Sequence, residues 1–140
     1  ISREHFHEQK RIHRVEFSVF NGHFKRDFLD VVERDVARAT LRVQELRKTV
    51  SDAPILTELG DRAIVQLAYV WELLERQGGG YKGPLRSAGV ANVFYVLDAF
   101  GRIQSVSLYR HTLSLGWNII AEPITNPNRW IADRPQFISR

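Results

Sequence analysis

The chain has 140 residues, 44% of them hydrophobic and 26% charged, with 20 Lys and Arg against 16 Asp and Glu and neither Cys nor Met. A chain of this length buries roughly two thirds of the surface that its unfolded form exposes, so one compact domain is expected. The missing cysteines exclude disulfides, thiolate metal sites and cysteine nucleophiles and fit a cytoplasmic or other reducing compartment, while no apolar run approaches the roughly 20 residues of a membrane-spanning helix.

In chain order, residues 1–13 read as a polar N-terminal arm, too polar for a signal peptide. Because the first residue is Ile1 rather than Met, a processed or trimmed N-terminus is expected. From Arg14 to Phe20, Val15, Phe17 and Val19 alternate with Glu16 and Ser18, the period of a half-buried strand. Asn21-Gly22 then reads as a turn that tolerates positive φ. Phe28, Val32, Val36, Ala39, Val43, Leu46 and Val50 recur at spacings of three and four, which predicts one long amphipathic helix over residues 25–50. Ser51 offers a cap and Pro54 a first-turn proline for a second helix over residues 54–77, apolar over a wider arc. Gly78-Gly79-Gly80 stops it.

Beyond the glycines the period changes. Val93 to Leu97 is a continuous apolar run, and Asp98-Ala99-Phe100-Gly101 reads as a hairpin loop with Gly at the left-handed position. Residues 102–110 and 113–120 alternate as two further strands. Pro123, Pro127 and Pro135 mark residues 121–140 as an irregular tail anchored by Trp130 and Phe137. The predicted fold is α+β: a single layer of two antiparallel helices packed on a small antiparallel sheet, in the order strand, helix, helix, three-strand meander. The arm, a core over residues 14–120 and the tail make one domain.

Charge is unevenly distributed. Arg accounts for 16 of the 20 cations; residues 1–26 and 82–110 each carry a net +3, and residues 27–81 a net −3. Planar guanidinium groups suit phosphate or carboxylate, so a local basic face around Lys82, Arg86, Arg102, Arg110 and His111 is the candidate binding surface. Arg34, Arg38 and Arg42 form a second basic stripe along the predicted first helix, diluted by Asp27, Asp30, Glu33, Asp35 and Glu45 and therefore read as a solvated face.

Other constellations are weaker. His5 and His7 share one side of an extended segment and with His13 have the elements of a metal site, but a chain terminus lacks the supporting shell, and they read as surface histidines with no metal. The run Gly78 to Gly83 follows a helix and precedes a strand, the reverse of a phosphate-binding loop, so it reads as a hinge and no cofactor is expected. No serine elbow or paired carboxylates stand out for triad or acid/base hydrolysis.

One resemblance covers about a quarter of the chain. Tyr81 to Gly89, followed by Val93 to Asp98 and ending Tyr109-Arg110-His111, resembles the sheet half of RelE/ParE-type bacterial toxins. The resemblance implies ribosome-dependent mRNA cleavage or gyrase poisoning, an antitoxin as partner, and Lys82, Arg86 and Arg110 at the basic site. Ala91 stands where ribonuclease members carry an arginine, and Pro84 where a second lysine would fall. The leading expectation is instead a non-catalytic binding or assembly domain that docks to a protein partner or to a second copy of itself, with nucleic acid as an alternative partner and no membrane span.

Overall fold

A computed structural model of the chain describes residues 2–46, 48–77, 83–87, 89–110, 116–125, 130 and 135–140. The elements in chain order are α1 (Ser2–His5), β1 (Arg11–Ile12), β2 (Val15–Phe20), α2 (Gly22–Asp27), β3 (Arg42–Glu45), α3 (Asp52–Leu59), a 3-10 turn (Gly60–Ala63), α4 (Leu67–Gln77), β4 (Asn92–Leu97), β5 (Ile103–Tyr109), β6 (Trp117–Pro123) and β7 (Gln136–Ser139). The strands form one seven-stranded mixed sheet in the order β1-β2-β6-β5-β4-β7-β3. This overturns the predicted small antiparallel sheet under two long helices. The meander β4-β5-β6 is present and antiparallel, but β2 joins β6 in parallel and β7 joins β4 in parallel, and β3 closes the far edge on β7.

Strand parity divides the molecule into two cores. Phe94 and Val96 of β4 share a face with Val106 and Leu108 of β5, Ile119 and Ala121 of β6 and Ile138 of β7, and this face is covered by Phe6, Phe24, Leu67, Val70, Trp71 and Leu74 from α1, α2, α4 and their flanks. Val93, Tyr95 and Phe137 lie on the opposite face under Ile55 of α3 and Ala63. The second cover is tied down by one carboxylate: Asp52 Oδ1 accepts from Tyr95 Oη and from Trp130 Nε1, each at 2.6 Å. Burial and the neighbouring Asp52 charge raise the Tyr95 phenol far above its ordinary value, so it stays a hydrogen-bond donor.

The two predicted helices fail for local reasons. Residues 25–50 satisfy a helical spacing, but the stripe is built largely on valine, whose β-branched side chain loses rotamer freedom in a helix. Helix α2 ends at Asp27, residues 28–41 run without regular structure, and the stretch finishes as a strand. The irregular run is anchored by its polar groups: the Glu33 carboxylate accepts from the first amides of α4, Leu67 N at 2.6 Å and Ala68 N at 2.8 Å, and Tyr69 Oη donates to the Ala37 carbonyl at 2.5 Å. Glu33 thus caps α4, where the N-terminal amides have no partner within the helix. Residues 54–77 break at Gly60, whose φ of +60° ends α3.

Asn21 is a helix cap rather than part of a turn at positive φ. Its side-chain oxygen accepts from Phe24 N at 3.1 Å and from Ala121 N at 3.0 Å, and its amide donates to the Ala121 carbonyl, so one residue starts α2 and pins it to β6. The segment read as a polar arm packs inward through buried Phe6, with Glu8 paired to Lys25 at 2.7 Å and accepting from Phe20 N. The segment read as an irregular tail supplies β7, an interior strand of the sheet. Among the described residues no helix is long and apolar enough to cross a membrane.

Candidate functional site

Of the residues singled out for a basic face, Arg86 and Arg110 lie at one end of the β4–β5 pair and Arg102 at the other. Lys82 and His111 lie outside the described residues, as do Gly78 to Gly80. Arg86 is half-buried and ion-paired to Glu45 of β3, and its backbone N donates to Asn92 Oδ1 at 2.8 Å. Arg110 follows the end of β5, where its carbonyl accepts from Gly89 N at 2.7 Å. Arg102 precedes the start of the same strand, so it stands roughly 25 Å from Arg110 along β5. Arg34 and Arg38 are exposed on the irregular run, and Arg42 begins β3, so the predicted helical stripe does not exist. Of the histidines, His5 stacks on Trp71 with ring centroids 4.7 Å apart, and this burial lowers its pKa. Among the described residues no three His, Asp or Glu side chains form a group that could hold a metal.

Two features that sequence reasoning missed carry more weight. The first is a buried polar cluster under the β4–β5 hairpin. Asp27, at the end of α2, is 1% exposed, Asp98 is 5% exposed, and Gln104 Nε2 donates to both carboxylates at 2.8 Å. Arg26 grips Asp27 with two hydrogen bonds, Nε at 2.9 Å and Nη2 at 3.1 Å. Arg102 reaches Asp98 at 3.0 Å and Asp27 at 3.3 Å. These donors, with the Arg26 pair foremost, hold the Asp27 carboxyl at about 2. At Asp98 burial opposes ionisation but is outweighed by the Arg102 and Phe100 amides, Gln104 and the Arg102 guanidinium, and its pKa is also lowered.

Both carboxylates are therefore anions at neutral pH, and neither can serve as a general acid. Beside them, Arg26 Nη2 lies 2.8 Å from His23 Nδ1. The cluster is a clamp. The signal that could have revealed it is parity: Gln104 shares a face with Val106 and Leu108, where a solvent-facing polar residue has no place.

The second feature is the β3 edge. Four residue pairs join β3 to β7, Arg42 with Ser139, Val43 with Ile138, Gln44 with Phe137 and Glu45 with Gln136, and among the described residues no strand pairs with its outer side. A groove opens beside that edge on each face of the sheet. On one, a cavity of about 810 Å³ is floored by Leu46, Ile55, Leu59 and Phe137 beside Gln44, with Lys48, Glu58 and Arg62 at its rim. On the other, a smaller cavity of about 280 Å³ is lined by Leu41, Val43, Leu73 and Ile138, with the Glu72–Arg76 ion pair beside them. The floors follow the register, since Gln44 and Phe137 are one cross-strand pair and Val43 and Ile138 the next. Val43 is 50% exposed.

In comparisons with known proteins, no family model matches the chain, and neither a curated protein nor a solved structure matches it. The likeness to RelE/ParE-type toxins thus rests on the residues quoted for it alone.

Proposed function

We propose that this is a protein-docking module that takes an extended segment of a partner protein as an additional strand along β3. The observation that carries the reading is the pair of grooves, apolar at the floor and polar at the rim, that flank one open edge. Successive side chains of a strand point to opposite faces, so a segment hydrogen-bonded to β3 would drop alternate side chains into the two cavities. Main-chain hydrogen bonds supply affinity that is indifferent to sequence, and the grooves supply the preference. At the rim of the larger groove Lys48 and Arg62 outnumber Glu58, while Glu45 is engaged by Arg86. The segment favoured is therefore apolar at alternate positions and acidic between them.

An edge strand is also a hazard, and proteins blunt such edges with short strands and charge. Strand β3 has four residues with Arg42 and Glu45 at its ends, which limits self-pairing while leaving room for a short ligand.

The test is titration of the chain with synthetic hexapeptides that alternate Val, Ile or Phe with Glu or Thr, followed by backbone amide NMR. Saturable shifts centred on Arg42–Glu45, with amide exchange slowed there, are the expected result, and Val43→Lys should weaken binding at least tenfold. Shifts confined to other strands, or a chain that already dimerises through β3 in sedimentation, would overturn the reading.

A further inference from the structure

Arg34, Arg38 and Arg42 stand in different company in the fold than along the chain. In sequence, Asp27, Asp30, Glu33, Asp35 and Glu45 dilute them, but all of these except Asp35 are engaged elsewhere. Asp27 is buried under the β4–β5 hairpin and paired with Arg26 and Arg102. Asp30 pairs with Arg3 at 2.6 Å, Glu33 accepts from the first amides of α4, and Glu45 is paired to Arg86. Arg34, Arg38 and Arg42 are exposed, and among the described residues none of them forms an ion pair. Residues 34–42 therefore carry three unpaired guanidinium groups against the single carboxylate of Asp35.

The trio does not lie on a helix. Residues 28–41 have no regular structure and lead directly into β3 at Arg42. Each arginine is four residues from the next, at most about 14 Å along an extended chain. The same run lines the smaller groove through Ala39 and Leu41, so its cations flank the open edge at the Arg42 end. At the other end stand the closed Arg86–Glu45 pair and one exposed cation, Lys48. The edge is thus charged asymmetrically along its length.

Resting on strand addition at β3, we infer that the run Arg34 to Arg42 takes an acidic flank of the partner segment and so sets the segment's direction. The segment lies antiparallel to β3, with its acidic residues C-terminal to those that form the strand. Antiparallel pairing is slightly the more stable per residue, and it carries the segment's C-terminal end past Arg42. Where the segment ends a chain, its α-carboxylate adds to the attraction, whereas a parallel segment would bring an ammonium group there. Guanidinium groups pair with carboxylates in planar, two-bond geometry, which suits Asp and Glu. A nucleic acid would satisfy the arginines but would leave the two grooves beside them empty, and this favours a protein segment.

The experiment compares two peptides of identical composition on the full chain. One is an alternating Val/Thr hexapeptide followed by four glutamates; the other is the same hexapeptide preceded by them. The C-terminally flanked peptide should bind about fivefold tighter or more at low salt, an advantage that fades at 1 M salt. It should shift the backbone amides of Arg34 to Leu41 as well as those of β3. The double variant Arg34→Gln, Arg38→Gln should erase the difference between the two peptides. Equal affinities, a preference for the N-terminal flank, or a preference that survives the double variant would overturn this inference and leave strand addition standing. Tetraglutamate alone or poly(U) RNA binding the run as tightly as the flanked peptide would do the same. Failure of both peptides to shift β3 would overturn strand addition and this inference with it.

Discussion

The β4–β5 hairpin and the β3 edge are held by opposite means. At the hairpin, two buried carboxylates, an amide and two guanidinium groups converge on a four-residue turn, and nearly every polar group has a named partner. At β3, four backbone pairs and one half-buried ion pair hold a short strand whose outer side is open. The first arrangement fixes a conformation and makes the tip rigid; the second leaves hydrogen-bonding capacity and apolar volume unfilled.

The contrast is broken most sharply at Asp27. Asp27→Ala removes the partner of Arg26 and one of the two acceptors of Gln104, and losing hydrogen bonds to a buried charged group costs about 1.5–3 kcal/mol. Thermal or urea unfolding should show that loss, together with faster exchange of the Ala99 to Arg102 amides. The equivalent cut at the other site, Glu45→Gln, frees only a half-exposed ion pair and should cost below about 1 kcal/mol. If the two losses came out equal, the distinction between the sites would fail.

The pH response sharpens the same comparison. Asp27 is held at about 2 against the ordinary 3.8, so its contribution is fully present above about pH 4 and is lost as pH falls toward 2. A shift of that size corresponds to about 2 kcal/mol. The lowered Asp98 acts in the same direction. Stability should therefore fall steeply below pH 4, and Asp27→Asn should flatten that limb of the profile while lowering stability at neutral pH. Glu45→Gln should leave the limb unchanged.

What the sequence made legible follows from which interactions are local. The strands around Val15 to Phe20 and Val93 to Leu97 announce themselves by period, and the Asp98 to Gly101 turn by composition. The two predicted helices do not form because a spacing of three and four does not distinguish a helix from a Val-rich run draped along α4, and because Gly60, inside the second, ends α3. The sheet could not be read at its edges. Strand β7 pairs with β4 and β3 across gaps of some 40 and 90 residues, and no local signal marks Gln136 to Ser139 as an interior strand. The same reason hid the functional features. Gln104 and Asp98 are hairpin neighbours, but Asp27 joins them from 71 residues before Asp98, and the β3 grooves are made by α3, α4 and β7 together. Of the basic residues, Arg86 and Arg110 sit at one end of the β4–β5 pair and Arg102 at the other, an arrangement set by strand pairing rather than by charge counts along the chain.

The smallest effect on stability should accompany the largest effect on function. Val43 and Phe100 are both half exposed or more, and neither belongs to the two buried cores. Val43→Lys keeps the backbone of β3 and its pairing with Ile138, and Phe100→Ala keeps the Asp98 turn, whose hydrogen bonds to Phe100 use the main chain. Each should change unfolding free energy by no more than about 0.5 kcal/mol. Yet Val43→Lys sets an ammonium against the smaller groove and should abolish strand addition there, while Phe100→Ala removes the one large apolar group at the tip and leaves strand addition intact. The double variant should melt within about the sum of the two small changes, because hairpin tip and edge share no partner. A melting loss well beyond that sum would mean that the two regions are coupled through β4.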